Sequence, residues 1–384
     1  MDIKKIKVLF LIPNLAHGGA EKVLVNLANN INKEKFGVTI QTLFDVGVNR
    51  QYLNKDVHYI GGFKRMPRGN SHIMKLFSPQ KLYSYLIKDK YDIIVSYLEG
   101  PTARIVSGCT NPDTKLVSWI HCRISNEKEA EVGFRNFEEA KKCYNKFDYT
   151  ACVSKMTMDY FTDTFDFKKT IGVIYNTIET DKIIKLSLEK IDDVEFDESY
   201  INICSVGKLT KLKGFDRLLH IHKKLNSLNL KNKFYILGIG EEEKNLKKYI
   251  SENKLEDTFI LLGYRTNPYK YVKKCDLYVC SSHSEGFSTS VTESLIVGTP
   301  VVTTLCSGMQ EMLGYNNEYG IVTENNEDAL YEGIEKILTE ENLLQHYKEQ
   351  ARVRGQRFST EKTVKAVENM LESLWLHYVI KKFY

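Results

Sequence analysis

Short apolar runs rich in β-branched residues alternate along the chain with longer stretches in which apolar positions recur every three or four residues. The first kind reads as strands buried on both faces, which need an apolar side chain at nearly every position. In the first half these runs are Lys7–Ile12, Val38–Leu43, Val57–Ile60, Asp92–Ser96, Lys115–Ile120 and Tyr149–Val153, with a further strand-like stretch, Ile171–Asn176, ahead of the linker. In the second half they are Asn202–Val206, Phe234–Leu237, Phe259–Leu262, Leu277–Cys280 and Val301–Thr304. The second kind predicts helices such as Gly19–Asn30, Glu127–Tyr144 and Phe215–Leu228. Strand and helix in strict alternation predict an α/β fold with parallel sheets, and two such series predict two doubly wound domains. The acidic, polar stretch Glu179–Tyr200 reads as the linker between them. The expected organisation is therefore an amino-terminal domain over 1–178, a linker over 179–200 and a carboxyl-terminal domain over 201–359. A helix over 360–384 follows.

Open parallel sheets bind ligands beyond the carboxyl ends of their strands, and the polar residues of interest fall there. After Leu277–Cys280 comes a loop with Glu285, Gly286 and Phe287, then a helix that Ser288 or Thr289 can cap and that stops at Gly298. On one continuous helix Glu285 and Glu293 would stand about 12 Å apart and roughly 80° out of phase. They converge only if Glu285 is on the loop and Glu293 inside the helix. Two carboxylates that accept hydroxyl hydrogen bonds, with free helix amides suited to phosphate between them, complement a nucleotide diphosphate sugar. After Asn202–Val206, Lys208 and Lys213 flank a turn. A departing nucleoside diphosphate gains negative charge, which fixed cations stabilise. Gly18 and Gly19 follow the first strand, where a side chain would hold the backbone away from a phosphate or a sugar face. His121 ends another strand, and Arg123, two residues on, is a candidate for a phosphate of donor or acceptor.

The segments GKLTKLKGFD, SEGFSTSVTESLIVGTPVV and SGMQEMLGYNNEYGIV together resemble the carboxyl-terminal half of the retaining GT-B glycosyltransferases of family 4. LIPNLAHGGAEKVLVNLANN is similar to that family's first strand, glycine loop and helix, and Tyr175-Asn176 to its crossover. The resemblance implies two Rossmann-like domains facing an interdomain cleft, with the last helix returning to the amino domain. It implies transfer, with retained configuration, of a hexose or N-acetylhexosamine from a nucleotide diphosphate sugar, UDP by preference. The acceptor would be lipid-linked or a surface polysaccharide of the capsule or lipopolysaccharide kind. Within that resemblance Glu293 meets the ribose hydroxyls, Glu285 the transferred sugar, Lys208 and Lys213 the leaving diphosphate, and His121 the sugar near its reactive carbon. The glycine loop of Gly18 and Gly19 contacts the donor. Departures from the family pattern are Lys208 in place of arginine, which loses a bidentate fork, and Ser288 and Thr289 in place of glycine and leucine. No two aspartates are separated by a single residue. The expectation is therefore a transferase without a metal or other cofactor, working by front-face displacement.

Charge adds one further surface. The net charge is +5, and the segment 61–90 carries Lys64, Arg65, Arg68, Lys75, Lys81, Lys88 and Lys90 against only Asp89, interleaved with Phe63, Met66, Leu76 and Phe77. Basic residues among bulky apolar ones suit an anionic membrane surface or a lipid-diphosphate acceptor; the alternative is a solvated lysine-rich face. Lys64, Arg65 and Arg68 are the candidates there. No run reaches the length of a membrane span. The eight cysteines include no Cys-x-x-Cys pair, which reads as reduced thiols in a cytoplasmic protein, peripheral on the inner face of the plasma membrane. Nucleic-acid binding has no recognised module to support it. Leu237-Gly-Ile-Gly240 lacks the third glycine of a dinucleotide fingerprint, and Glu241–Glu243 would repel a pyrophosphate. The remaining alternatives are a non-catalytic nucleotide-sugar-binding subunit and an epimerase on the same fold.

Overall fold

The computed structural model describes residues 5–16, 18–66, 69–228 and 230–383, with backbone alone at 70, 71 and 377–383. Arg68 lies outside the described residues. The chain divides into two compact units, Met1–Thr177 with Thr360–Tyr384, and Ile178–Ser359.

Among the described residues unit 1 has a seven-stranded sheet: β1 (Ile6–Ile12), β2 (Phe36–Thr42), β3 (His58–Ile60), β4 (Ile93–Ser96), β5 (Lys115–Ile120), β6 (Tyr149–Cys152) and β7 (Ile171–Val173). Its order is β3-β2-β1-β4-β5-β6-β7, and the neighbouring strands pair in parallel. Unit 2 has a six-stranded sheet: β8 (Ile201–Val206), β9 (Asn232–Leu237), β10 (Phe259–Gly263), β11 (Leu277–Cys280), β12 (Val301–Thr304) and β13 (Ile321–Thr323). Its order, β10-β9-β8-β11-β12-β13, is also parallel throughout. The central strands are apolar on both faces because both are covered: Val8, Leu9, Phe10, Leu11 and Ile12 are fully buried, as are Ile203, Cys204, Leu277 and Val279. In each sheet the connections reverse direction between the first and fourth strands, β1/β4 and β8/β11. That reversal opens a crevice in such sheets.

β8 and β11 pair only at Ile203↔Leu277 and Cys204↔Tyr278. Beyond that point the strands splay, and the buried Tyr278 hydroxyl bridges to the Val206 backbone, accepting from its N–H at 3.4 Å and donating to its carbonyl at 3.3 Å.

Three local expectations are corrected. Glu127–Tyr144 is two helices, Glu127–Ala130 and Phe137–Tyr144, parted by Gly133 at φ +86°. Asn126 and Asn136 each cap one, accepting from the N–H of Glu129 and of Glu139. The segment 179–200 is no free linker, since its helix Thr180–Ser187 buries Ile183 with Ile178, Tyr269 and Ile296 of unit 2. Farther along, the Tyr271 hydroxyl donates to Asp193 at 2.7 Å. β13 is an additional strand, three residues long, too short for its pattern to register in the sequence. The Thr360–Phe383 helix belongs to unit 1, where Glu368 accepts from the Asn32 N–H at 2.8 Å and Glu372 pairs with Lys35 at 2.7 Å.

The basic segment forms the helices Asn70–Lys75 and Pro79–Leu86. Phe63, Met66, Ile73, Leu76, Phe77 and Tyr85 are exposed along it. The buried Arg104, paired with Glu139 at 2.9 Å, anchors it by donating to the carbonyls of Met74 and Phe77 at 2.9 and 2.7 Å. Among the described residues no helix is long and apolar enough to cross a membrane. All eight cysteines are free.

Candidate active site

At the β8/β11 crevice two loops are stitched together. The chain leaving β8 makes a 3-10 turn, Lys211–Lys213, and then Gly214 at φ +61°. A side chain at Gly214 would be strained by that backbone conformation and would place its Cβ 2.3 Å from the Ser281 carbonyl oxygen. Glycine therefore lets the turn lie against the loop that follows β11. Ser281 Oγ donates to the Lys213 carbonyl at 2.8 Å, and the His283 N–H to the Leu212 carbonyl at 2.8 Å. From behind, Thr304 Oγ1 donates to the Ser282 carbonyl at 2.6 Å and Cys306 Sγ at 3.3 Å.

This stitching brings Lys213 and Glu285 together, with Nζ 2.5 Å from Oε1. Ser282 Oγ donates to the same Oε1 at 2.6 Å, so both contacts converge on one oxygen. Oε2 of Glu285 accepts no hydrogen bond from the described residues, and the Lys213 ammonium keeps two donors in hand. The side chains are 27% and 11% exposed. Burial opposes the charge on Lys213, but the charge and hydrogen bond of the Glu285 carboxylate, with smaller effects of Cys280 and Cys306, together raise the pKa above the usual lysine value. The group stays a cation.

Glu285, Gly286 and Phe287 lie on the loop, and the helix Thr289–Val297 begins two residues later. Ser288 is its N-cap, accepting from the Val291 N–H at 3.4 Å. Phe287 is buried, and a Cβ on Gly308 would come within 2.7 Å of its ring. Glu293 is buried inside the helix. Lys208 is exposed and makes no ion pair among the described residues. Gly238 and Gly240 have a packing reason instead of a cofactor one. A Cβ at either would press on the backbone of the loop after β8, 1.8 Å from the Gly207 carbonyl oxygen and 2.2 Å from that of Leu209.

In unit 1, Gly18 is the N-cap of Gly19–Asn30, and a Cβ on it would meet the Glu21 carboxylate. That acid stands at the positive end of the helix. His121, at the end of β5, donates its main-chain N–H to Glu99 at 3.0 Å. Its ring is 4.8 Å from Tyr97 and 6.2 Å from Trp119, centroid to centroid. Burial holds its pKa far below the usual histidine range, down to about 3, so the imidazole is neutral. Tyr97 Oη, Trp119 Nε1 and His121 Nε2 are buried with no hydrogen-bond partner among the described residues. Arg123 is exposed over the Tyr160 ring, 5.3 Å from its centroid. Lys64 and Arg65 are exposed.

Sequence reasoning missed Ser281, Ser282, Arg217 and Asn325 around the loop, and Tyr97, Trp119 and Glu99 around His121. The one local signal was the pair of serines leading into Glu285.

Two family models match the chain in succession: Glycosyltransferase Family 4 over residues 17–182 and Glycosyl transferases group 1 over residues 187–354. The chain is 27% identical to the Campylobacter jejuni N-acetylgalactosamine-N,N'-diacetylbacillosaminyl-diphospho-undecaprenol 4-alpha-N-acetylgalactosaminyltransferase, over 93% of this chain and 96% of the relative. It is 22% identical to the amylovoran biosynthesis glycosyltransferase AmsD of Erwinia amylovora, over 90% and 93% respectively. Among solved structures, Anabaena HepE in complex with UDP superposes with a TM-score of 0.73 at 18% identity, over 96% of this chain and all of that one. With both models accounted for and two sheets of the same order, the chain belongs to the glycosyltransferases, its first half of the family 4 type and its second of the group 1 type, on a GT-B fold.

Proposed function

We propose that the protein transfers a hexose or N-acetylhexosamine from a nucleotide diphosphate sugar, with uridine as the base, to a lipid-linked or surface-polysaccharide acceptor. Transfer retains the anomeric configuration and needs no metal. The Lys213–Glu285 pair at the β8/β11 crevice carries this reading. The C. jejuni relative, whose name specifies an α-N-acetylgalactosaminyl group and a diphospho-undecaprenol acceptor, supports the choice of substrates.

In this reading the two uncommitted N–H donors of Lys213, with Lys208 and the first amides of Thr289–Val297, face the leaving diphosphate and stabilise its growing charge. Oε2 of Glu285 accepts from a hydroxyl of the transferred sugar, and Glu293 from the ribose. His121 acts on a sugar hydroxyl as a neutral ring. The acid of Glu21 beside Gly18 suits a hydroxylated group better than a phosphate. Departure of the diphosphate and attack by the acceptor hydroxyl occur on the same face of the sugar. The acceptor's proton passes to the leaving phosphate oxygen.

A thermal-shift panel of UDP-, GDP- and ADP-sugars tests the donor. Ligand at 100 times its dissociation constant stabilises by about 2.7 kcal/mol, worth about 5–11 °C for a unit of this size. A flat panel refutes the reading. Product NMR reports the anomer, and undiminished turnover in excess EDTA checks metal independence. The basic segment with exposed Leu76 and Phe77 supports peripheral attachment to an anionic, cytoplasmic membrane face. Flotation with anionic but not neutral liposomes is the expected result, and no flotation removes that part.

A further inference from the structure

Arg217 stands in the first turn of the Phe215–Ser227 helix, where the helix dipole disfavours a cation. Its guanidinium is instead spent on the loop that carries Glu285. Nη1 donates to the Ser281 carbonyl at 3.3 Å and to Asn325 Oδ1 at 2.9 Å, and Nη2 lies 2.8 Å from His283 Nδ1. Asn325 closes the ring by donating to the His283 carbonyl at 2.9 Å. With its N–H bound to Leu212, His283 is held at three points, two residues before Glu285.

A guanidinium can only donate, so Nδ1 of His283 must accept. The ring is therefore neutral with its proton on Nε2. Burial, then the neighbouring cation of Arg217, lowers its pKa from the usual histidine value, against a smaller opposing effect of Asp216.

We propose that Arg217 is a positioning residue for the donor sugar. With His283 and Asn325 it forms a latch that fixes the loop Ser281–Glu285, so that Glu285 keeps Oε1 on Lys213 and Ser282 and turns Oε2 to a sugar hydroxyl. The proposal rests on the reading of Glu285 as the sugar-binding carboxylate. The latch touches neither Lys208 nor the amides that start Thr289–Val297, and Lys213 meets the diphosphate through the two donors that Glu285 does not take, so the latch governs recognition of the sugar more than the grip on the nucleotide. Arginine is required because no other side chain presents donors in a fork wide enough for a carbonyl, an amide oxygen and a ring nitrogen at once.

The experiment compares wild type, Arg217→Gln, Arg217→Lys and His283→Ala, with UDP and UDP-N-acetylgalactosamine as probes in calorimetric titration and initial-rate assays. Arg217→Gln is expected to bind UDP within threefold of wild type and to lose at least tenfold in affinity for the nucleotide sugar and in kcat/KM. Arg217→Lys recovers part of the loss. His283→Ala, which spares the bonds to Ser281 and Asn325, shows a smaller loss in the same direction. A readout that needs no donor is imidazole nitrogen NMR of the free protein: His283 is the Nε2–H tautomer in wild type and a tautomer mixture in Arg217→Gln. Wild-type discrimination between the two probes in a folded Arg217→Gln protein overturns the latch, as does an Nδ1–H tautomer in wild type. If Glu285→Gln also leaves nucleotide-sugar affinity unchanged, the assignment of Glu285 itself fails. If Glu285→Gln weakens it and Arg217→Gln does not, only the latch fails.

Discussion

Replacing Lys213 and Glu285 singly and together separates what the pair does for unit 2 from what it does for transfer. Glu285→Gln keeps the volume and the Ser282 contact but turns a 2.5 Å charge-assisted bond into one from ammonium to a neutral amide. Hydrogen bonds to charged groups are worth about 1.5–3 kcal/mol, and the 27% exposure of Lys213 lets water recover part of that. A loss of about 1–2 kcal/mol is expected. Lys213→Met strands the less exposed partner, the carboxylate, with one hydroxyl donor. Unpairing a fully buried ion costs about 3–5 kcal/mol, so about 2–3 kcal/mol is expected for this partly buried one. The double variant Lys213→Met/Glu285→Gln leaves no stranded charge, and its cost should fall below the sum of the singles by about 1–2 kcal/mol. Urea unfolding of the full chain at pH 7, followed on a unit 2 probe, gives the three values. Costs that add within about 0.5 kcal/mol are those of independent sites and would refute the pairing. Kinetics from the same proteins should diverge: Lys213→Met lowers kcat by about 100- to 1,000-fold, the effect of losing one transition-state donor, while the Glu285 change acts chiefly on donor affinity. Because the pKa of Lys213 is raised in the folded protein, its contribution is complete below the unfolded lysine value near 10.5 and is lost only as pH rises through the folded one. Activity changes between pH 6 and 8 therefore do not come from this group.

Glu293→Ala should raise the donor KM at least tenfold with a smaller change in kcat; the reverse pattern in initial-rate assays would reassign it. Gly214→Ala combines a positive φ with a Cβ 2.3 Å from a backbone oxygen, so it should cost at least about 1 kcal/mol, displace the Ser281–Glu285 loop and abolish most transfer. Wild-type kcat in that variant would contradict the stitched loops. The neutral His121, with a folded pKa of about 3 against roughly 6.5 unfolded, destabilises unit 1 as pH falls below about 6.5 and has no effect above it. Each pH unit in that window is worth about 1.4 kcal/mol. His121→Gln should flatten the fall in stability between pH 7 and pH 5 by about 2 kcal/mol, and identical acid limbs in urea melts would show that the ring takes up its proton while folded.

What the sequence disclosed follows from what each feature depends on. The central strands were legible because burial on both faces demands unbroken apolar runs, and Val8–Ile12 or Leu277–Cys280 can hardly be anything else. Glu285 and Lys213 were legible because glycines and a capping serine mark the turns after β8 and β11. The edge strand Ile321–Thr323 escaped because three residues carry no period. The Glu127–Tyr144 break escaped because apolar periodicity outweighed the two asparagine caps. The 179–200 segment read as a linker because its polar majority hid Ile183, the side chain that ties it to unit 2.

The support around the candidate residues could not be read at all, and the reason is geometric. Arg217, at a helix start, and His283 and Asn325, on two separate strand–helix connections, lie far apart in the chain, and their partners are a backbone carbonyl, an amide oxygen and a ring nitrogen that no local pattern brings together. The same holds for Tyr97 and Trp119 beside His121: in the sequence they are two more aromatic residues near the ends of apolar strands. Only the sheet order β1-β4-β5 sets them side by side. A local pattern therefore finds candidate groups when a turn announces them, whereas the groups that hold them in place are specified by topology. In unit 2 the same parallel order that opens the crevice between β8 and β11 also brings the β13 loop within reach of Arg217, so the carboxylate and the residues that hold its loop are consequences of one arrangement of strands.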